Sequence, residues 1–347
     1  MAAPSDLRWR LDGTDPQVAL FEEVERHVGR GEFRGLEFLH VRARRIVNEV
    51  PVASRMPFRY TINAYRGCSH ACTYCFARPT HEYLGMDAGE DFERRIVVKV
   101  NAVDRLRAEL APGRWAGEHI AMGTNTDPYQ RCEGKYRLTR GIVGVLAEAA
   151  NPFSILTKST LILSDLELLA DAARRTRVRA NLSIGTLDED VWQATEPGTP
   201  HPMRRVEAVA RLNQAGVPCG VLLAPVLPGL SDDPAQLEAV VKACVEAGAR
   251  SITTLYLHLR PGVREQWFSW LAEARPDLVA FYEARYPRAY APKRTSQDLS
   301  RLVAAMVSRH GGRAVPPSRS REVLVADPPA ADAVPGPPPA RQLGLGI

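Results

Sequence analysis

The sequence is poor in lysine, poor in cysteine and free of long apolar runs. Of its 45 basic residues only Lys99, Lys135, Lys158, Lys242 and Lys293 are lysine, so a lysine at a chemically awkward position is informative. No stretch approaches the roughly 20 consecutive apolar residues of a membrane-spanning helix. No signal-peptide pattern opens it. The expectation is a soluble cytoplasmic protein with no membrane partner. Six cysteines in 347 residues, three of them scattered, exclude a disulfide scaffold. A formal net charge of +5 permits an anionic partner without demanding one.

What is present is concentrated. Cys68, Cys72 and Cys75 stand within eight residues at spacing C-x3-C-x2-C. A loop this short can wrap three thiolates around a compact inorganic centre, and thiolates are the ligands of iron–sulfur clusters. A cube of four irons held by three cysteines keeps one iron open for chemistry. The competing reading is zinc on these cysteines with His70 or His81. Zinc sites usually pair two separated elements, however, and no second C-x2-C pair exists. Cys132, Cys219 and Cys244 fit buried structural thiols.

From about residue 60, short apolar runs alternate with helix-like segments, the pattern of β/α units around a parallel sheet. Strands are expected near 60–66, 118–123, 152–157, 178–184, 217–224 and 250–257, with helices at 95–110, 138–150, 164–174, 201–215 and 234–247. The fold class expected is α/β, and six strands, two short of a closed eight-stranded barrel, agree in number with a partial (β/α)6 TIM-type barrel. Such folds place chemistry at the C-terminal strand ends. There the sequence has the cysteine loop, the turn Gly123-Thr124-Asn125-Thr126-Asp127, then Thr157-Lys158-Ser159, Ser183-Ile184-Gly185-Thr186 and Ala224-Pro225.

The cysteine motif has an aromatic residue, Tyr74, before its last cysteine, and is flanked by Tyr60-Thr61-Ile62-Asn63-Ala64-Tyr65-Arg66-Gly67 and Phe76-Ala77-Arg78-Pro79-Thr80-His81-Glu82-Tyr83. Together these resemble the radical S-adenosylmethionine (SAM) superfamily, in the branch related to spore photoproduct lyase. The resemblance covers residues ~55–290 and implies the partial barrel. It also implies a [4Fe–4S] cluster on Cys68, Cys72 and Cys75, with SAM chelated at the open iron. An electron donor such as flavodoxin or ferredoxin is implied too, with hydrogen abstraction by a 5′-deoxyadenosyl radical. By the same resemblance Tyr74 lies on the adenosine side, and Thr126, Asp127, Lys158 and Ser183 help to position SAM. Arg205 could reach its carboxylate. Alternatively, Thr126 and Ser183 cap helices, and the Glu196-Pro197-Gly198-Thr199-Pro200 turn before Arg205 is ordinary turn chemistry. One departure stands out. Where the lyase has a hydrogen-donating cysteine this sequence has Thr124, whose O–H bond is too strong for that role; Cys132 is a speculative substitute.

The rest divides into four parts. Residues 1–54 read as an N-terminal helical extension, with Val18, Phe21, Val24 and Val28 at near-helical spacing for packing on the core. Residues 55–260 are the partial barrel. Residues 261–310 form a C-terminal segment with helices at about 264–274, 276–285 and 296–309. It is rich in aromatics and arginines that either close the barrel's open edge or bind a polynucleotide. Residues 311–347 are a Pro-rich disordered tail. The tail ends in Gln342-Leu343-Gly344-Leu345-Gly346-Ile347, which resembles the peptide with which bacterial repair and replication proteins bind the sliding clamp. The expected function is hydrogen abstraction from an unassigned substrate, possible nucleic acid first and a small metabolite or peptide second. A metal- or cluster-stabilised binding module recruited to DNA is the alternative of another class.

Overall fold

Short runs of β-branched and other apolar residues build two sheets in the computed structural model, which describes residues 24–51 and 56–313. The tail from residue 314 on, with its Gln342–Ile347 peptide, lies outside the described residues, as do 1–23 and 52–55. In chain order the strands are β1 (Val24–Val28), β2 (Glu37–Val41), β3 (Val47–Glu49), β4 (Tyr60–Ile62), β5 (Tyr65–Arg66), β6 (Arg95–Lys99), β7 (Ile120–Met122), β8 (Phe153–Thr157), β9 (Val178–Ser183), β10 (Cys219–Val226) and β11 (Ile252–Tyr256). The helices are α1 (Glu90–Arg94), α2 (Ala102–Glu109), α3 (Glu133–Tyr136), α4 (Leu138–Glu148), α5 (Leu166–Arg175), α6 (Glu189–Thr195), α7 (Pro202–Gln214), α8 (Pro234–Glu246), α9 (Val263–Ala274), α10 (Val279–Arg285) and α11 (Lys293–Arg309). No described helix is long and apolar enough to cross a membrane.

The larger sheet has the order β11-β10-β9-β8-β7-β4-β3. Its first six members run parallel, and β3 is antiparallel on the β4 edge. Each parallel neighbour is reached through a crossover helix, as parallel pairing requires. The sheet stays open, so the six expected strands form the expected partial barrel. β9 is buried along its whole length and β10 at all but one position, the signature of strands covered on both faces. Asp233 caps α8 by accepting the amides of Ala235 and Gln236.

Three local expectations change. The run 60–66 is not one strand: β4 joins the large sheet, and after Asn63 and Ala64 the chain crosses to β5 in the smaller sheet, order β1-β2-β6-β5. The expected helix 95–110 begins as a strand, because Ile96, Val97 and Val98 are β-branched and buried between β2 and β5. Helix starts only at Ala102. Finally, the described part of the N-terminal extension is mainly strand, with one 3-10 turn at Gly31–Phe33: Val24 and Val28 lie on an edge strand, 37% and 78% exposed, and do not pack on the core.

The C-terminal segment does close the open edge. α11 packs against α8 and β11, while Trp267, Tyr282 and Tyr286 are fully buried. Most of that aromatic stripe is therefore core. Truncating Trp267 to Ala should cost about 3–5 kcal/mol, read as a lowered urea midpoint, whereas Val28→Ala should leave the midpoint within about 0.5 kcal/mol of the parent.

Candidate active site

The cysteine loop follows β5 directly, and its backbone is held from three sides. From the N-terminal side, the Cys68 amide donates to the Phe92 carbonyl (2.9 Å). Within the loop, the buried Arg78 guanidinium donates twice to the Cys72 carbonyl (3.1 and 2.9 Å), also to the carbonyls of Ala88 and Gly89, and pairs with Glu93. From the strand side, Gln130 accepts from the Ser69 amide (3.0 Å) and donates to the Gly67 carbonyl (3.0 Å). The third clamp is the turn at 195–198: the Thr73 amide donates to Thr195, and the Gly198 amide to His70, both at 3.0 Å. A Cβ at residue 198 would stand 2.2 Å from the Ser69 carbonyl oxygen, so only glycine lets the two loops approach.

These contacts bring Cys68, Cys72 and Cys75 to one side of a cleft at the C-terminal strand ends. His70, Tyr74, Asn125, Thr126, Asp127, Thr157, Lys158 and Ser183 also line it. The opposite wall is apolar: Leu222, Ala224, Pro225, Leu255 and Leu257, with Tyr256 and His258 at its edge. Phe76 and Leu255 line the cleft yet remain 54% and 37% exposed, which marks its mouth. His258 meets Tyr290 edge-on with ring centroids 4.7 Å apart, and Arg260 Nε donates to the Tyr290 hydroxyl (2.7 Å).

The cleft divides the expected residues into those free to meet a ligand and those spent on construction. Lys158 belongs to the first group. Its Nζ lies 5.5 Å from the Tyr74 ring centroid; burial opposes its charge, while Cys72 and Glu196 favour it and leave its pKa above the ordinary value. Thr126 instead donates its hydroxyl to the Gly67 carbonyl (2.7 Å), and Ser183 to that of Ala224 (2.8 Å). Asp127 accepts from the Thr157 hydroxyl (2.6 Å) and the Lys158 amide (2.8 Å), and faces His70 Nδ1 at 3.4 Å. Burial alone would raise its carboxyl, but His70 and these donors hold it below the usual range. Asp127 thereby joins the cysteine loop to the end of β8.

Arg205 does not face the cleft. It is fully buried behind it, donating to the carbonyls of Pro200 and Ser183 and pairing with Glu196 at 2.5 Å. Glu196 in turn accepts the Tyr74 hydroxyl, so the aromatic residue of the motif is fixed by a carboxylate that sequence reading placed only in a turn. The signal available for it was an acid immediately before Pro197-Gly198. Burial would raise Glu196, yet Arg205 and Lys158 hold it below the usual range. Cys132 is also misplaced as a hydrogen donor. It is buried in the apolar core outside the cleft lining, because it opens α3 with its side chain turned inward, and burial pushes its thiol upward. The Thr124 hydroxyl and the Asn63 side-chain amide are mutual partners at 3.3–3.4 Å.

The donor set suits a cationic thiolate centre. Burial raises all three thiols, Cys72 to about 12, so they would ionise only against concentrated positive charge such as iron provides. Three sulfur donors on one loop beside a lysine and a cleft also suit a cluster with a ligand at its open position.

The family model described as Radical SAM superfamily matches residues 62–241. An uncharacterized protein of Mycobacterium tuberculosis is 44% identical over 286 residues, 82% of this chain and 84% of its own. Another from Methanocaldococcus jannaschii is 27% identical over 197 residues, covering 57% and 70%. Among solved structures, spore photoproduct lyase with bound AdoMet and dinucleoside spore photoproduct superposes with a TM-score of 0.58 at 17% identity, over 78% of each chain. At that identity the likeness is one of fold.

Replacing Glu196 with Gln should cost about 3–5 kcal/mol at pH 7 by leaving Arg205 buried beside a neutral partner. Because the Glu196 carboxyl is depressed in the folded chain, the stability it contributes is complete above about pH 5 and lost as pH falls through the folded value. The deficit of the variant, measured by urea unfolding, should therefore shrink as pH falls below about 5.

Proposed function

The chain belongs to the radical SAM superfamily, and from that premise we propose that its cleft binds SAM against Lys158 and acts on a nucleic-acid component seated along the apolar wall. It is an enzyme whose cofactors are a [4Fe–4S] cluster and SAM. When bound, these supply one-electron cleavage of SAM and a 5′-deoxyadenosyl radical that abstracts hydrogen. Cys68, Cys72 and Cys75 are the ligands that hold the cluster. The observation that carries the reading is the convergence of these three thiols and Lys158 on one cleft whose far wall is apolar.

The chain's own residues have separable tasks. Lys158 supplies a point charge for a carboxylate in a partly dry site, where a charge-assisted contact is stronger than in water. Glu196 keeps Tyr74 in one orientation, and Arg205 keeps Glu196 ionised. Asp127, through Thr157 and the Lys158 amide, sets the distance between the end of β8 and the cysteine loop. Thr126 and Ser183 act by shaping the cleft. Leu222, Leu255 and Leu257 exclude water from the reacting region.

Two observations support a nucleic-acid substrate. The similar fold of spore photoproduct lyase has been solved with a dinucleoside photoproduct, and here the exposed Phe76 and the Tyr290–Arg260 pair offer stacking and cationic groups at the mouth. The reaction is not that of the lyase unchanged. Thr124 occupies the position of its hydrogen-donating cysteine, and Cys132 is outside the cleft. Reduction of the cluster requires a one-electron donor, of flavodoxin or ferredoxin type.

The test is anaerobic reconstitution with iron and sulfide, reduction, addition of SAM and quantification of 5′-deoxyadenosine. Product should form with single-stranded DNA or RNA present and vanish in Cys72→Ala. Zinc in place of iron and labile sulfide would overturn the reading in favour of a metal-stabilised binding module, and turnover with peptides or metabolites but no nucleic acid would overturn the substrate class. Lys158→Ala should weaken SAM binding about 10- to 100-fold by calorimetry, with iron content unchanged. Cys132→Ala should leave the 5′-deoxyadenosine yield unaltered.

A further inference from the structure

Away from the cleft, the edge strand β1 of the smaller sheet and its neighbour β2 gather two imidazoles and a carboxylate. β1 and β2 are antiparallel with Glu25 opposite His40 and His27 opposite Phe38. Strand alternation places residues 25 and 27 on one face, and direct pairing puts residue 40 on that face as well. The ligating atoms of Glu25, His27 and His40 all lie within 4.8 Å of one another. Glu25 Oε2 is 3.4 Å from His27 Nε2, and the two imidazole centroids are 3.9 Å apart at a 34° tilt.

His40 is already oriented. Its Nε2 is 2.7 Å from the Tyr136 hydroxyl, which leaves Nδ1 as its coordinating nitrogen. Fixing one ring nitrogen so that the other faces a metal is the usual outer support of a ligating histidine. Packing does not account for the arrangement, since all five residues of β1 are exposed.

We propose that Glu25, His27 and His40 form a site for one divalent ion of the zinc class, with solvent completing its coordination. Two imidazole nitrogens and one carboxylate oxygen match that chemistry, whereas calcium and magnesium favour all-oxygen sites. The ion would fasten an edge strand that buries no side chain to β2. Through β6 and β5 the same sheet leads into Gly67 and Cys68, and Tyr136 belongs to α3, whose Glu133 accepts the Tyr65 hydroxyl. The site is thus an outer staple on the sheet that delivers the cysteine loop. Lys135, with Nζ 5.3 Å from the Tyr136 ring centroid, opposes a dication and keeps affinity below that of a closed structural site.

The experiment is calorimetric titration of Zn2+ into anaerobically prepared, cluster-loaded protein, so that iron already occupies the three cysteines. One ion per chain should bind, with a rise in thermal midpoint. His27→Ala and His40→Ala should each abolish both signals at unchanged iron content, and Tyr136→Phe should weaken affinity about tenfold. Absence of the binding event in the parent protein, or its persistence at unchanged affinity in either histidine variant, would overturn the assignment. Neither outcome depends on SAM cleavage, so the site stands or falls apart from the reading of the cleft.

Discussion

A buried carboxylate holds the site together. Glu196 accepts the Tyr74 hydroxyl from the cysteine loop and pairs with Arg205 from the helix behind it. Arg205 also reaches the Ser183 carbonyl at the end of β9. One charge pair therefore links the loop, the turn, the helix and the sheet. In a dry interior such a pair gives little net stability, but removing either half leaves an uncompensated charge, so the geometry is all-or-none. That suits a loop whose three sulfurs must be in place before a cluster can be held.

Around this pair the polar residues divide by environment rather than by type. Thr126, Ser183 and Asp127 all line the cleft, yet their strongest partners are backbone groups or neighbouring side chains of the protein. They hold the strand ends at fixed separations. Lys158 keeps its ammonium toward the cleft, against the Tyr74 ring, and no acidic side chain ion-pairs with it at salt-bridge distance among the described residues. The opposite wall is built from β10 and β11, the strands farthest from β4, and so comes from the part of the sheet that the C-terminal helices cover. The proposed function thus puts cofactor and substrate at opposite ends of one open sheet.

The sequence alone specified the cysteine spacing and the six strands, because short apolar runs between turns and a C-x3-C-x2-C loop are local signals. It also specified the lysine, since an unusual residue at a strand end is local information. Tertiary structure decided the rest. It moved Arg205 from cleft to scaffold and Cys132 from candidate donor to core, because the direction of a side chain on a helix depends on what that helix packs against. It turned 95–99 into a strand, as a β-branched run follows its pairing partners rather than its neighbours' helical pattern. It made Glu196 the centre of the site by bringing it to Tyr74 from 122 residues away in the chain, and the antiparallel pairing of β1 with β2 set His40 beside His27 and Glu25.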